Sequence, residues 1–450
     1  MKGNVMVDSG LSHSIYAMIE RLVDMIESWP LIIFVVGISI LCTVMLGFVQ
    51  FKYFKRSCSI ALRPQAAAAG AGQISPLQAF LNSLSTGLGN GSLAGVATAI
   101  YAGGPGTVFW MVVIGLLLMA PRFAEVYLAV YKKTLRGLHF GGPIVYITDL
   151  FGNAVAWIYA LSAFLFACIV SCALQSNAIA LSLHQGWQVH PMFVAIGFLL
   201  FTMYVLFGGA DRILRVSDLL TPLKVVLFFI SASILLLYHA GNLVQALRLI
   251  VVSACTPQAI AGGALGFSVQ QAMRFGIFRS IFASEAGLGT SSILFGATKS
   301  ERPVEDGFMG MLSVFMSTVV CFLVGLCIVA SGTWNSGLTS TELTSVAFQT
   351  AFGTFGNWIV TALSITFGMG VLVAYAFIAR QVWLFISAGK HIWLFNLIYC
   401  VVAFGGALVN PHVLFHIGGI INACMLVINL SAVVLLLPVI RKALQEYAHK

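Results

Sequence analysis

Residues 31–51, LIIFVVGISILCTVMLGFVQF, form an apolar run without a charged side chain, and similar runs recur to the end of the chain. A spanning helix needs about 20 such residues, and inside lipid every backbone polar group must be satisfied within the protein. Only 8% of the 450 residues are charged and 60% are hydrophobic. Mean hydropathy is +0.99. Soluble domains carry roughly 25% charged residues, so the chain reads as an all-α polytopic membrane protein, with lipid as its main partner. No stretch is polar enough for a soluble domain. The first run has no small-residue cleavage site after it and is read as an uncleaved helix.

The runs place spans at 31–51, 73–101, 105–131, 141–181, 191–208, 216–239, 273–298, 306–331, 343–387, 391–409 and 412–440. Basic residues set their orientation, because cytoplasmic loops are enriched in Lys and Arg. Lys52, Lys55, Arg56 and Arg63 follow the first span; Lys132, Lys133 and Arg136, then Arg212 and Arg215, fall on the same side, as do Lys299, Arg302, Lys390, Arg441 and Lys442. The opposite loops, LSLHQGWQVHP, GTWNSGLTSTE and LVNPH, contain neither Lys nor Arg. The N-terminus is therefore expected outside and the C-terminus in the cytoplasm. Arg248, Arg274 and Arg279 oppose this count and are expected to snorkel at a helix end, as is Lys224. The net charge of +9 thus reflects orientation, and no nucleic-acid partner is implied.

One expected span breaks the helical rule. GLGNGSLAGVAT (87–98) contains alternating glycines at 87, 89 and 91, among the poorest helix formers. Two hundred residues later comes GLGTSSILFGAT (287–298), identical at six of twelve positions. In the topology above the two copies enter from opposite sides, five spans in each half. Transporters built from inverted repeats bind substrate and ions at the midplane, where corresponding helices are broken. The chain then divides into residues 1–72 (an extra helix and loop), 73–240 (first repeat) and 241–450 (external connection and second repeat).

A break at membrane depth frees backbone donors and acceptors, tolerated where they line a cavity. Amides around Asn90–Ser92 suit a carboxylate, and carbonyls before the break suit a cation or an ammonium. Asn90 offers a donor and an acceptor, so an α-amino acid matches the site. Arg122 and Glu125, at i,i+3, are expected to pair. Glu285, directly before the second break, is a candidate for gating or ion-related work, or for pairing with Arg279 or Arg274. The nine cysteines form no CxxC pair and are read as thiols in apolar surroundings. No HExxH, P-loop or nucleophile–base constellation occurs, so an enzyme is not expected.

The stretch GLGNGSLAGVATAIYAGGPGTVFWM, then GGPIVYI, ALQSNAIA, GGADRILRVSDLLTP and FRSIFASEAGLGTSSILFGAT, resembles the alanine/glycine:cation symporters, also called the sodium:alanine symporter family. The resemblance implies a LeuT-type fold of five plus five inverted helices with one extra N-terminal helix. It implies import of alanine or glycine with a cation, sodium first and a proton second, by a monomer in a bacterial inner membrane, without a further cofactor. Carried over, substrate would be bound by Gly87, Gly89, Asn90, Gly91, Gln175, Asn177, Gly287, Gly289, Thr290 and Ser291. Thr86, Asn90, Ser364 and Thr366 would bind the ion; Glu285 and Tyr375 would serve gating. The eighth core helix departs from the pattern: Ala379 replaces a glutamate, and the family's paired hydroxyls align with Met369 and Gly370. Either Ser364 and Thr366 substitute for them, or sodium coupling has been altered or lost. An uncoupled transporter, or a non-transporting receptor or leak channel on the same scaffold, are the alternatives.

Overall fold

The computed structural model describes residues 29–63, 72–256, 268–409 and 411–449. Residues 1–28, 64–71, 257–267, 410 and 450 lie outside that range, among them part of the expected external connection. The described chain is helical throughout, with one isolated parallel bridge between Ile74 and Thr298. The helices are α1 (Trp29–Met45), α2 (Phe54–Leu62), α3 (Pro76–Gly87), α4 (Val96–Gly103), α5 (Gly106–Arg136), α6 (Pro143–Leu165), α7 (Leu174–Trp187), α8 (Pro191–Leu206) and α9 (Gly209–Tyr238). They continue as α10 (Leu243–Cys255), α11 (Val269–Ser284), α12 (Thr290–Gly296), α13 (Pro303–Ala330), α14 (Ser340–Phe352), α15 (Phe355–Ile386), α16 (Ile392–Gly406) and α17 (Pro411–Ala448). A π-helical segment, Phe166–Ala173, continues α6 into α7, and α6 itself is kinked at Gly152, whose backbone (φ 81°, ψ 176°) is non-helical.

Among the described residues, α5, α6 to α7, α9, α13, α15 and α17 are long and apolar enough to cross a membrane. Phe193, Leu200, Leu219 and Leu237 are largely exposed on α8 and α9, which fits a surface facing lipid. Between apolar helices in lipid, close packing drives association. On α13, a Cβ at Gly307, Gly310 or Gly325 would come within 2.8, 2.7 and 2.6 Å of Phe123, Val126 and Val108 on α5. These glycines therefore let the two helices pack closely.

The two expected breaks are present. α3 stops at Gly87 and helical backbone resumes in a π-helical turn, Gly91–Gly95, that runs into α4. α11 stops at Ser284 and α12 starts at Thr290. Both broken helices begin with the same device: Ser75 with Gln78, and Ser268 with Gln271, form complete capping boxes. They run antiparallel. Residues 73–74 at the start of α3 pair with 297–299 past the end of α12, through Gln73 N to Ala297 O at 2.9 Å and Lys299 N to Ile74 O at 2.9 Å. At the other end, a Cβ on Gly103 would lie 3.1 Å from the Gln271 carbonyl.

The expected span 343–387 is corrected: it is two helices, α14 and α15, parted at Gly353, whose φ is 58°. The apolar run hides the turn, because an isolated glycine is compatible with helix, as Gly356, Gly368 and Gly370 of the same run show.

A candidate transport site between two broken helices

At the first break the chain lies against α7, α13 and α15. The Asn90 amide donates to Gln175 Oε1 at 3.1 Å. Position 89 has no room for a side chain, since a Cβ there would be 2.8 Å from Val371 Cγ2 and 3.1 Å from Gln175 Nε2. The Gly87 carbonyl accepts from Ser92 Oγ at 3.1 Å, and Ser317 Oγ sits 3.2 Å from it and 3.0 Å from the Ala283 carbonyl, tying the two broken helices together. Asn90 itself is buried, and neither its side-chain oxygen nor its nitrogen has a hydrogen-bond partner among the described residues. Its Nδ2 lies 2.8 Å from the Cβ position of Gly368 on α15. One turn earlier on the same face, the Ser364 hydroxyl is also buried without a partner. Buried native polar groups are nearly always bonded, so these two side chains, without a partner among the described residues, are free to bond.

Lys224 of α9 corrects the expectation of a snorkelling side chain. It is fully buried, and its ammonium donates to Ser85 O at 2.9 Å, Ser85 Oγ at 2.9 Å and Leu88 O at 2.8 Å. Arg279 does not lie at an interface either. Its guanidinium runs along the first break, with Nη2 2.8 Å from the Cβ position of Gly91.

The second break turns on Glu285, which holds a left-handed backbone (φ 54°, ψ 17°) unusual for a residue with a Cβ. Its carboxylate accepts from Thr290 Oγ1 at 3.0 Å, and Thr86 and Tyr375 face it. No basic side chain forms an ion pair with it among the described residues, so the pairing with Arg279 or Arg274 is corrected.

The remaining groups of this break are bonded to the protein. Arg122 pairs with Glu125 at 2.9 Å, as expected, and also donates to Ser284 O at 2.5 Å. Glu125 accepts from Gly289 N at 3.2 Å and from Asn429 Nδ2 at 2.9 Å. Asn429 donates to Gly287 O at 2.8 Å and accepts from Tyr146 Oη at 2.5 Å. Tyr159 donates to Leu288 O at 2.6 Å. Asn429, Tyr146 and Tyr159 were missed by the sequence reading; the excess of free backbone groups that a glycine break creates was the available signal for such partners.

The structure thus gathers Gly87, Gly89, Asn90, Gly91 and Gln175 at one break, and Glu285, Thr290, Thr86 and Tyr375 at the other. Gly287 and Gly289 are engaged by the Arg122–Glu125–Asn429 network, and Ser291 Oγ lies 2.6 Å from Ser83 Oγ, between the two helices. Two residues bond elsewhere. Asn177 donates to Gly406 O at 3.1 Å and Val409 O at 2.6 Å, at and just past the end of α16. Thr366 bonds back to Ala362 O and Leu363 O of its own helix, at 2.8 and 3.1 Å.

Antiparallel broken helices packed around unbonded polar side chains, in a bundle of apolar helices, define a secondary transporter. The chain belongs to the sodium:alanine symporter family, whose profile matches residues 12–450. It is 30% identical over 442 residues to a transporter of Haemophilus influenzae, spanning 95% of this chain and 96% of that one. It is 28% identical over 422 residues to the sodium/alanine symporter AgcS of Methanococcus maripaludis, covering 90% and 91%. The amino-acid carrier protein AlsT of Bacillus subtilis is 27% identical over 429 residues, covering 93% and 90%. Among solved structures, a Na+-coupled sialic acid symporter has a TM-score of 0.55 at 12% identity, over 81% of this chain and 80% of that one, a likeness of fold alone. The chain is an integral membrane transporter, not an enzyme.

Proposed function

We propose that the protein imports a small neutral amino acid, alanine or glycine, with a cation across a bacterial inner membrane by alternating access. The fold is read as five plus five inverted helices, with α1 as the extra helix, the N-terminus outside and a monomer as the working unit. The observation that carries this reading is the Asn90 side chain, buried beside Gln175 at a helix break with no bond of its own. In this reading the substrate carboxylate takes the place of Gln175 Oε1 on the Asn90 amide and meets the amide of Gly91 beside it, at the opening of a half-helix whose dipole favours an anion. Gln175 and Ser364 supply further polar contacts. The Glu285 carboxylate, faced by Thr86, Thr290 and Tyr375, draws the sodium ion or the substrate ammonium. That AgcS is a sodium/alanine symporter supports the choice of substrate and ion.

The test is counterflow of radiolabelled alanine by purified protein in proteoliposomes. Labelled alanine is expected to accumulate in vesicles preloaded with unlabelled alanine or glycine, and not in vesicles preloaded with tryptophan. Equal uptake by empty and preloaded vesicles would contradict the reading.

A further inference from the structure

The Lys224 ammonium sits where a half-helix ends. α3 stops at Gly87, Leu88 caps it, and the carbonyls of its last turn have no helical partners. Carbonyls there carry the negative end of the dipole, and in transporters with broken helices such ends coordinate the coupling ion. In this chain two of them, Ser85 O and Leu88 O, bind Lys224 at 2.9 and 2.8 Å, and Ser85 Oγ completes the set at 2.9 Å. An ammonium has three donors, and all three are used. The Phe367 ring lies 5.7 Å from the nitrogen and adds a cation–π contact. No acid forms an ion pair with Lys224 among the described residues; Glu285 acts on it through space. A buried charge without an acidic partner is expensive, and here the oxygen cage and the helix end offset that cost.

The facing helix is shaped to match. Position 370 on α15 is glycine, and a Cβ there would come 2.8 Å from Lys224 Nζ and 3.1 Å from Ser85 Oγ. A hydroxyl-bearing side chain at 370 would contend with the ammonium for the same space. The glycine at 370 and the buried lysine are therefore matched to each other in space. Ser364 does not contact this nitrogen, and Thr366 is bonded to its own helix.

We infer that the cation position at the end of α3 is filled permanently by the Lys224 ammonium, so that no sodium ion binds there. The inference rests on reading the first break as an ion position, and it leaves the Glu285 side of the site free to take an ion from solution. Lys224 then supplies, as a tethered charge, the positive partner of the carbonyl end of α3.

Equilibrium binding of radioactive sodium to detergent-purified protein, with no amino acid present, tests this. Lys224→Ala empties the oxygen cage, and Lys224→Met removes the charge while keeping the stem. Each variant is expected to bind one sodium ion per chain more than the wild type. Each should also gain melting temperature in sodium relative to choline by a larger margin than the wild type, because an ion that binds only the folded state stabilises it. Folded variants that bind the wild-type number of ions would overturn the inference. So would variants that aggregate alike in sodium and in choline, since Lys224 would then be a structural tie and nothing more. Failure of alanine counterflow in the wild type would sink the substrate reading and leave the ion count unaffected.

Discussion

Arg122 and Lys224 are both buried cations, and the bundle holds them in different ways. Arg122 has an acid, Glu125, 2.9 Å away on its own helix, and its other nitrogen reaches Ser284 O. Lys224 has only uncharged oxygens. Removing one partner of a buried ion pair strands the other, at a cost of about 3–5 kcal/mol. Arg122→Ala is therefore expected to lower the melting temperature in detergent sharply, and the double variant with Glu125→Ala to recover part of the loss. An Arg122→Ala variant as stable as the wild type would show the pair to be dispensable. The difference also explains what the sequence could reveal. The Arg122–Glu125 pair is legible because its members are three residues apart on one helix face. The partners of Lys224 include main-chain carbonyls more than a hundred positions away, which no side-chain pattern encodes.

The two breaks are legible at the scale of the element because glycine repeats there in two copies. What holds each break open is less so. The second is fastened by Arg122, Glu125, Asn429, Tyr146 and Tyr159, drawn from α5, α6 and α17. Arg122, Glu125, Asn429 and Tyr159 satisfy backbone groups of the break and Tyr146 braces Asn429, so their role depends on the backbone path and not on a motif. Gly289 is the narrowest point: its φ is +82°, and a Cβ would collide with the Tyr159 hydroxyl and with Pro143. Left-handed backbone costs a residue with a Cβ roughly 1–2 kcal/mol before any collision. Gly289→Ala is expected to lower the melting temperature by several degrees, and Gly37→Ala, where a Cβ meets nothing within 4 Å, to leave it unchanged. Equal melting temperatures for the two would contradict the account of the break. The turn at Gly353 shows the limit in the other direction. Nothing in the apolar run distinguishes Gly353, which parts two helices, from Gly356, Gly368 and Gly370, which a helix passes through.

Across the whole molecule, the order of apolar runs and the repeat of the glycine stretch give most of the architecture, and the antiparallel placement of the broken helices agrees with their opposed entry. The site needed the coordinates. Gln175 and Asn177 lie two residues apart in one motif, yet Gln175 turns to the break and Asn177 to the carbonyls at the end of α16. Helical geometry separates residues i and i+2 onto different faces, and only packing decides which face meets the site. The central claim, that substrate is held at the first break, is tested most directly by alanine counterflow with three alanine variants, at positions 90, 175 and 177. A lost hydrogen bond to a charged group costs about 1.5–3 kcal/mol, or roughly 10–100-fold in affinity. Asn90→Ala and Gln175→Ala are expected to weaken alanine by at least that factor, while Asn177→Ala keeps wild-type affinity in the protein that remains folded. Wild-type counterflow by the first two variants, or a loss confined to the third, would contradict the account.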